Sequence, residues 1–417
     1  LYGFDTNPTI WALSTLNMFF RGDGKTHMEN SSCFEKENKS AIDGKFTRAF
    51  LNPPFSQAGE PERDFISLSM EALEPEMLLA VVVKAGIFAD DEHAYWRREF
   101  TRNHTILGVI SLPEDLFYPT AAPTSILLAK AHIPQGRKAK VFMARISNDG
   151  FEKLKGRRVA IEGSQLPNTI QAFHAFLTDC EIHEKNVAVI DGEKILDGGE
   201  WSPQQWLIQP IEHEEELKGY EQEVRLSLYR AISAIPDLAD VCLQEFPELS
   251  DSLPELPYGE THQISFFFDV QNGRSVGEKN YRDGTYPYIS SGDTTNSIIR
   301  LVEPDDDSEV FDTGGITVTA FGQGYLQPWP FIARGNGGSS VRVLIPKFRM
   351  SLHELIWFVA QINAQRWRFF YARMAIKSRL ERLEVTAPPE KLLTLGESLH
   401  ERARQFKENL LKLSLQN

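Results

Sequence analysis

Apolar and polar positions follow two different textures along the 417 residues, and the change falls near residue 260. In the first half, continuous apolar runs stand between segments with helical spacing. Leu1-Tyr2-Gly3-Phe4 reads as the end of a buried strand closed by Asp5, and Thr6-Asn7-Pro8 as a cap with proline near the first helical position. Ile10, Leu13, Leu16 and Phe20 give the following helix a core face that ends at Gly22. Residues 23–46 are polar and irregular, and a β-rich run follows from Lys45 to Leu51. Glu62 to Leu73 predicts an amphipathic helix, with Phe65, Ile66, Leu68 and Met70 on its apolar side. Strands are predicted at Ala80–Val83, Ile106–Leu112, Ser125–Ala129 and Val141–Ala144, with a charged helical segment from Asp91 to Thr101. Apolar strands alternating with helices predict an α/β fold, a mostly parallel sheet covered on both faces. The close spacing of the last strands predicts an antiparallel hairpin at one edge. A short helix (Thr169–Leu177) and a strand (Val187–Ile190) carry this domain to residue 209.

Glu212 to Ala234 is a charged helical segment, read as a solvated face. Pro236, Pro247, Pro254 and Pro257 then interrupt the chain, so 235–258 is the candidate linker. From Ile264 short strands and glycine turns take over. Ile264–Phe268, Tyr286–Ser290, Ile316–Ala320 and Ser340–Ile345 are strand-like, separated by Gly322-Gln323-Gly324 and Gly335-Asn336-Gly337-Gly338. Leu352–Arg382 and Lys391–Leu413 are predicted helices. The expected organisation is an α/β domain (1–209), a helical segment with linker (210–258), a β-rich α+β domain (259–389) and a C-terminal helix (390–417).

Composition narrows the class. Hydrophobic content of 41% and charged content of 24% are those of a globular protein, and no apolar run approaches a membrane span. Cys33, Cys180 and Cys242 lie far apart, which predicts reduced thiols, a cytoplasmic setting and neither disulfide framework nor structural metal. A net charge of −14 argues against indiscriminate nucleic-acid binding and leaves room for a local basic surface. The chain starts at Leu1 inside what reads as a strand, as expected of a fragment or processed product.

The candidate chemistry centres on Asn52-Pro53-Pro54-Phe55. Two prolines end the strand and fix a rigid turn. The turn groups an amide, a carbonyl and an aromatic face. Two acceptors beside a ring suit a planar base with an exocyclic amine, extruded from its duplex; read alone, the same residues also make an ordinary turn. Asp5, at a strand's carboxyl end, is placed as ribose-binding acids are, or as a simple cap. Asp312-Thr313-Gly314 has no second copy to form a carboxylate dyad, and the glycine turns lack a following Lys-Ser/Thr, so both read as turns. Arg366, Arg368, Arg373, Lys377 and Arg379 lie in one helical stretch with Trp367, Phe369, Phe370 and Tyr371. That stretch is either a phosphate-contacting helix or a helix with aromatics in the core and solvated arginines. Gln323, Arg334 and Asn336 on the glycine loops are the candidates for base readout.

Asn-Pro-Pro-Phe, then "VVVKAGIF" and "GVISLPEDLFYPTAAPTSILLAKA", resembles the adenine-specific DNA methyltransferases, in particular the modification subunit of type I restriction–modification systems and their fused relatives. "YGFDTNPTIWALSTLNMFFRG" resembles the family's segment after its glycine-rich S-adenosylmethionine loop, and the resemblance covers roughly residues 1–145. It implies a Rossmann-like methyltransferase fold. Asn52 and the Pro53 carbonyl would hold the target amine, Pro54 would rigidify the turn, Phe55 would stack on the flipped adenine, and Asp5 would bind the cofactor ribose. The glycine-rich loop is expected ahead of Leu1, and Ser31-Ser32-Cys33-Phe34 stands where the family has an Asp contacting the cofactor adenine. "TYPYISSGDTTNSIIRLVE", "GGITVTAFGQGYLQPWPF" and "VRVLIPK" resemble the target-recognition domain of type I specificity subunits, with Ser297 where the pattern has glycine. The resemblance implies S-adenosylmethionine as cofactor, double-stranded DNA as substrate, and a restriction or further specificity subunit as partner. Two other readings remain: a sequence-specific DNA-binding component without methyl transfer, and an RNA or protein methyltransferase.

Overall fold

The computed structural model describes residues 1–23, 25–55, 59–114, 116–117, 122–154, 157–207, 214–235, 253–275, 277, 281–292, 294–306, 309–337 and 340–389. The chain divides into two compact units, Leu1–Gln209 and Pro210–Asn417.

The first unit opens with two short parallel strands, β1 (Tyr2–Phe4) and β2 (His27–Glu29). The helix between them, Pro8–Phe20, is capped by Asn7, whose side chain accepts from the Thr9 and Ile10 N–H groups. Trp11 ties it to β2 by donating to the Met28 carbonyl. Its expected core face is not buried: Ile10, Leu13, Leu16 and Phe20 are all exposed, as is Phe19. Apolar residues occur on several sides of this helix, and a two-stranded sheet offers little surface to cover any of them. The stretch read as irregular holds β2 and a helix at Lys36–Ile42.

β3 (Phe46–Leu51), β4 (Leu73–Lys84), β5 (Thr105–Ser111), β6 (Thr124–Lys130) and β7 (Lys140–Arg145) form one sheet with the later strand β10 (Val187–Asp191), in the order β10-β7-β5-β6-β4-β3. A separate antiparallel pair, β8 (Phe151–Leu154) and β9 (Arg157–Ala160), lies between β7 and β10 in sequence. β3 is parallel to β4 and β5 to β7, while β6 is antiparallel to both its neighbours. The expected antiparallel step after β5 therefore lies inside the sheet, and the antiparallel edge is β10 against β7. Helix Glu62–Glu71 stops before Leu73, which already belongs to β4.

Ile66, Met70, Val81, Val83, Val109, Leu127 and Met143 are fully enclosed in the core, each contributing on the order of 1.5–3 kcal/mol by burial. Phe88, Trp96, Phe100 and Trp201 stack into one aromatic group. Beside them Arg97 is 1% exposed. Its guanidinium donates to the carbonyls of Ile87, Asp90, Gly198 and Gly199, which gives the buried charge its hydrogen bonds.

In the second unit, β11 (Thr261–Gln263) pairs with β20 (Glu384–Thr386). β12 (Phe268–Asn272), β16 (Gly315–Val318), β17 (Gly324–Gln327) and β19 (Arg342–Pro346) form a sheet ordered β12-β19-β16-β17. β13 (Asp283–Ile289), β14 (Ile298–Val302), β15 (Val310–Phe311) and β18 (Phe331–Ala333) form the other, ordered β14-β13-β18-β15. Ile264–Phe267, expected as strand, is one helical turn that precedes β12. Ile316, Val318, Leu326 and Leu344 pack with Phe358, Val359 and Ile362 of helix Leu352–Ala364, which begins in a Ser351–Glu354 capping box. Helix Glu214–Ala234 is not a solvated rod, since Leu217, Val224 and Ala231 are buried and Val224 joins this core.

Thr295, Asn296 and Ser297 all have positive φ, 49°, 54° and 64°. The left-handed turn explains why a glycine suits position 297. Asn296 is fully buried and locks the turn by donating to the Leu326 carbonyl and accepting from Ser227. The linker's centre (236–252) and the C-terminal helix (390–417) lie outside the described residues.

Candidate functional site

β3 is the edge strand of the six-stranded sheet, and it stops at Leu51. Pro53 and Pro54 cannot donate to a ladder, so the chain turns there. Asn52 and Pro54 are exposed, Pro53 is buried and Phe55 is half-buried. Neither the Asn52 side chain nor the Pro53 carbonyl has a hydrogen-bond partner among the described residues. Two acceptors without a partner among the described residues thus precede Phe55 in the turn.

The ring of Phe117 stands edge-on to Phe55, centroids 5.6 Å apart. Phe117 lies in a turn where the Leu116 N–H donates to the Pro113 carbonyl at 3.3 Å. The base of its loop is pinned between β5 and β6: the Leu112 N–H donates to the Thr124 carbonyl, and Ser111, Ser125 and Gln204 share buried hydrogen bonds. β3 and β5 run the same way, so both loops leave the carboxyl edge of the sheet, where open α/β sheets bind ligands. Phe117 had no role assigned from sequence, although its run Leu-Phe-Tyr-Pro carries part of the resemblance. A cleft lined by Lys140, Phe176, Cys180 and Val187 lies at the β10 edge, across the sheet from Asn52.

Asp5 follows β1. Its Oδ1 accepts from the Asn7 N–H at 2.8 Å, its N–H donates to the Glu29 carbonyl, and its own carbonyl accepts from the Asn30 side chain at 2.9 Å. The carboxyl ends of β1 and β2 thus meet at Asp5 and Asn30. Oδ2 has no partner among the described residues, so it can accept from a hydroxyl, as the ribose side of a nucleotide-like cofactor would require. The next loop is ordered by Asn38, which donates to Ser31 and to the Ser32 carbonyl, and by Phe34 edge-on to Phe65. Burial pushes the Cys33 thiol above its usual range, which keeps it protonated. No hydrogen bond among the described residues joins Asp5 to Asn52.

In the second unit the expected basic helix is absent. Helix Leu352–Ala364 ends at Gln365, whose side chain donates to the Glu384 carbonyl. A 3-10 turn (Arg366–Arg368) follows, then a tight turn in which Phe370 and Arg373 exchange both backbone hydrogen bonds. Arg373 is 2% exposed and donates to the Arg368 carbonyl, so it faces inward rather than toward a ligand. Arg368 is half-buried against Gln365 and Trp367, and Arg379 donates to the Met374 carbonyl. Lys377 pairs with Glu381 at 3.7 Å on a five-residue helix. Arg366 is exposed and donates to Gln323 at 2.9 Å, which brings two of the expected residues together. Arg334 donates to the Asn336 carbonyl, joining another two on a separate loop.

Among the described residues, no group of three or more His, Cys, Asp or Glu could hold a metal ion, and no helix is long and apolar enough to cross a membrane.

The first unit is an α/β domain built on a mixed six-stranded sheet. Residues 1–198 match the model of the family described as N-6 DNA Methylase. Over 158 residues the chain is 27% identical to the type II restriction enzyme and methyltransferase RM.BcgI of Heyndrickxia coagulans, covering 36% of this chain and 25% of that protein. It is 25% identical over 182 residues to the type I restriction enzyme MjaVIII methylase subunit of Methanocaldococcus jannaschii, covering 36% and 31%. Among solved structures, the type I restriction-modification system methyltransferase subunit from Streptococcus thermophilus is similar with a TM-score of 0.41 at 18% identity, covering 48% of this chain and 47% of that one. The matched regions span 25% and 31% of the length of the two curated relatives. Residues 1–198 are thus similar to the N-6 DNA Methylase family over a little under half of the chain.

Proposed function

We propose that this protein methylates the exocyclic amino group of adenine in double-stranded DNA, and that its second unit recognises the target site, as part of a restriction–modification system. The observation that carries the reading is the turn at Asn52-Pro53-Pro54-Phe55, with two unpartnered acceptors beside a ring held by Phe117. The Asn52 oxygen and the Pro53 carbonyl accept the two amine hydrogens. That pull favours a more tetrahedral nitrogen with an available lone pair, through positioning and electrostatics alone. Phe55 offers its face to the extruded base while Phe117 fixes the ring's tilt. S-adenosylmethionine, held on its ribose side by Asp5, would supply the methyl group. A rigid turn matters here because a small misplacement of either acceptor lowers the rate steeply.

Sequence readout falls to the loops of the second unit, with Gln323 and Arg366 on one surface and Arg334 and Asn336 on another. A cytoplasmic location and a restriction or further specificity subunit as partner follow from the same reading. The test is incubation of the protein with labelled S-adenosylmethionine and duplex DNA, with digestion to nucleosides. Label in N6-methyladenine supports the reading. DNA retention without label would instead make the protein a recognition component, and label in RNA or protein alone would overturn both.

A further inference from the structure

β19 starts at Arg342, and the register sets this residue beside Asn272 of β12 and Val318 of β16. Arg342 therefore stands at the end of the sheet from which the β16–β17 turn projects. It is half-buried, and its hydrogen bonds are few: Nη1 donates to Ser340 Oγ at 3.1 Å and to the Val341 carbonyl at 3.4 Å. Nε is buried with no partner, and no described carboxylate pairs with the guanidinium. Burial alone holds its pKa below the usual arginine value, with no neighbouring charge offsetting it. A desolvated cation without a counter-ion costs stability unless something outside the chain supplies the anion.

The surroundings indicate which anion. Ser340 accepts at its carbonyl from Ser291, and Ser291 accepts in turn from the Ala320 N–H. The Ala320 carbonyl accepts from the Ala375 N–H, and Gly322, at a φ of +77°, lies over the ring of Phe369. Four loops are thereby tied into one surface. Two aromatic tips project from it: Phe321, 41% exposed in the β16–β17 turn, and Tyr371, 83% exposed in the turn that buried Arg373 supports. Arg366 lies at the same place through its bond to Gln323. Two arginines and two exposed rings on one surface match a sugar–phosphate backbone better than a free anion, because the rings supply apolar contact to the sugars beside the charge.

We infer that Arg342 is a phosphate-binding residue for duplex DNA, with Phe321 and Tyr371 on the same surface as aromatic contacts to the backbone sugars. The inference rests on the reading of the second unit as a DNA-recognition unit, and adds residues that the sequence motifs did not single out.

The test is fluorescence anisotropy of a short labelled duplex with the full chain, across a salt series. Arg342→Ala is expected to weaken binding about tenfold and to reduce the salt slope by about one. Tyr371→Ala, at a position exposed enough to leave folding intact, is expected to weaken binding about threefold with the slope unchanged, through the lost apolar contact to the sugars. Lys347→Ala is the matched control: it removes one positive charge at the opposite end of β19, where the ammonium donates to the Ser265 carbonyl. An Arg342→Ala slope equal to that of Lys347→Ala, or unchanged affinity in Tyr371→Ala, would overturn the inference and leave the methyltransferase reading standing. Failure of the unaltered chain to bind duplex DNA would overturn both.

Discussion

The rings of Phe55 and Phe117 meet edge to face, with centroids 5.6 Å apart and planes at 83°. Residues distant in sequence are joined there, and the contact links the turn that ends β3 to the loop between β5 and β6. In the proposed site one loop carries the two acceptors, and the other holds the Phe55 ring edge-on through Phe117.

Phe117→Ala is expected to leave the first unit folded and to lower kcat/KM for DNA methylation about three- to tenfold, the scale of one lost aromatic pair of about 0.5–1.5 kcal/mol. Steady-state kinetics beside a thermal melt would check this. An unchanged kcat/KM would mean that Phe55 is oriented without Phe117.

Arg97→Met keeps much of the side chain's length and removes its donors. Carbonyls of Ile87, Asp90, Gly198 and Gly199 would then lose their partner in a closed core. A loss of at least about 3 kcal/mol in unfolding free energy is expected, because buried acceptors left unpaired lose their hydrogen bonds without regaining water. Chemical denaturation of the wild type and the variant gives the difference directly.

His104 sets a pH dependence. Burial first, and then the neighbouring His132, lower its pKa from 6.5 to about 4. The geometry agrees, since Nδ1 accepts from the His132 N–H at 3.0 Å and must be unprotonated to do so. A group with a depressed pKa in the folded state favours the neutral form there. Its contribution to stability is present above pH 6.5 and is lost as pH falls from 6.5 toward 4, where the unfolded chain binds the extra proton. Thermal melts through that window should show a falling transition temperature, with a shallower fall in His104→Gln.

Several of these features were legible in the sequence, for identifiable reasons. Two adjacent prolines after an apolar run allow neither strand nor helix, so the turn at Asn52 could be read directly. The apolar runs that became β4 to β7 were equally plain, yet a buried strand looks the same in either direction, so the place of β6 inside the sheet was not. The run Ile264–Phe268 suits a buried helical turn as well as a strand. The stretch 352–382 is rich in good helix formers, and only tertiary contacts break it, through Gln365 on Glu384 and Phe369 beneath Gly322. Arg373 read as a surface cation because inward-facing arginines are rare, and nothing local shows that the Arg368 carbonyl awaits it.

The proposed methyl transfer depends most on Asn52, and Asn52→Ala tests it. Methyl incorporation into duplex DNA and DNA affinity are measured together for the wild type and the variant. Loss of one of two acceptors for the amine should lower kcat by about a hundredfold or more while Kd for DNA and the melting temperature stay near wild type. Undiminished N6-methyladenine formation by Asn52→Ala would contradict the account.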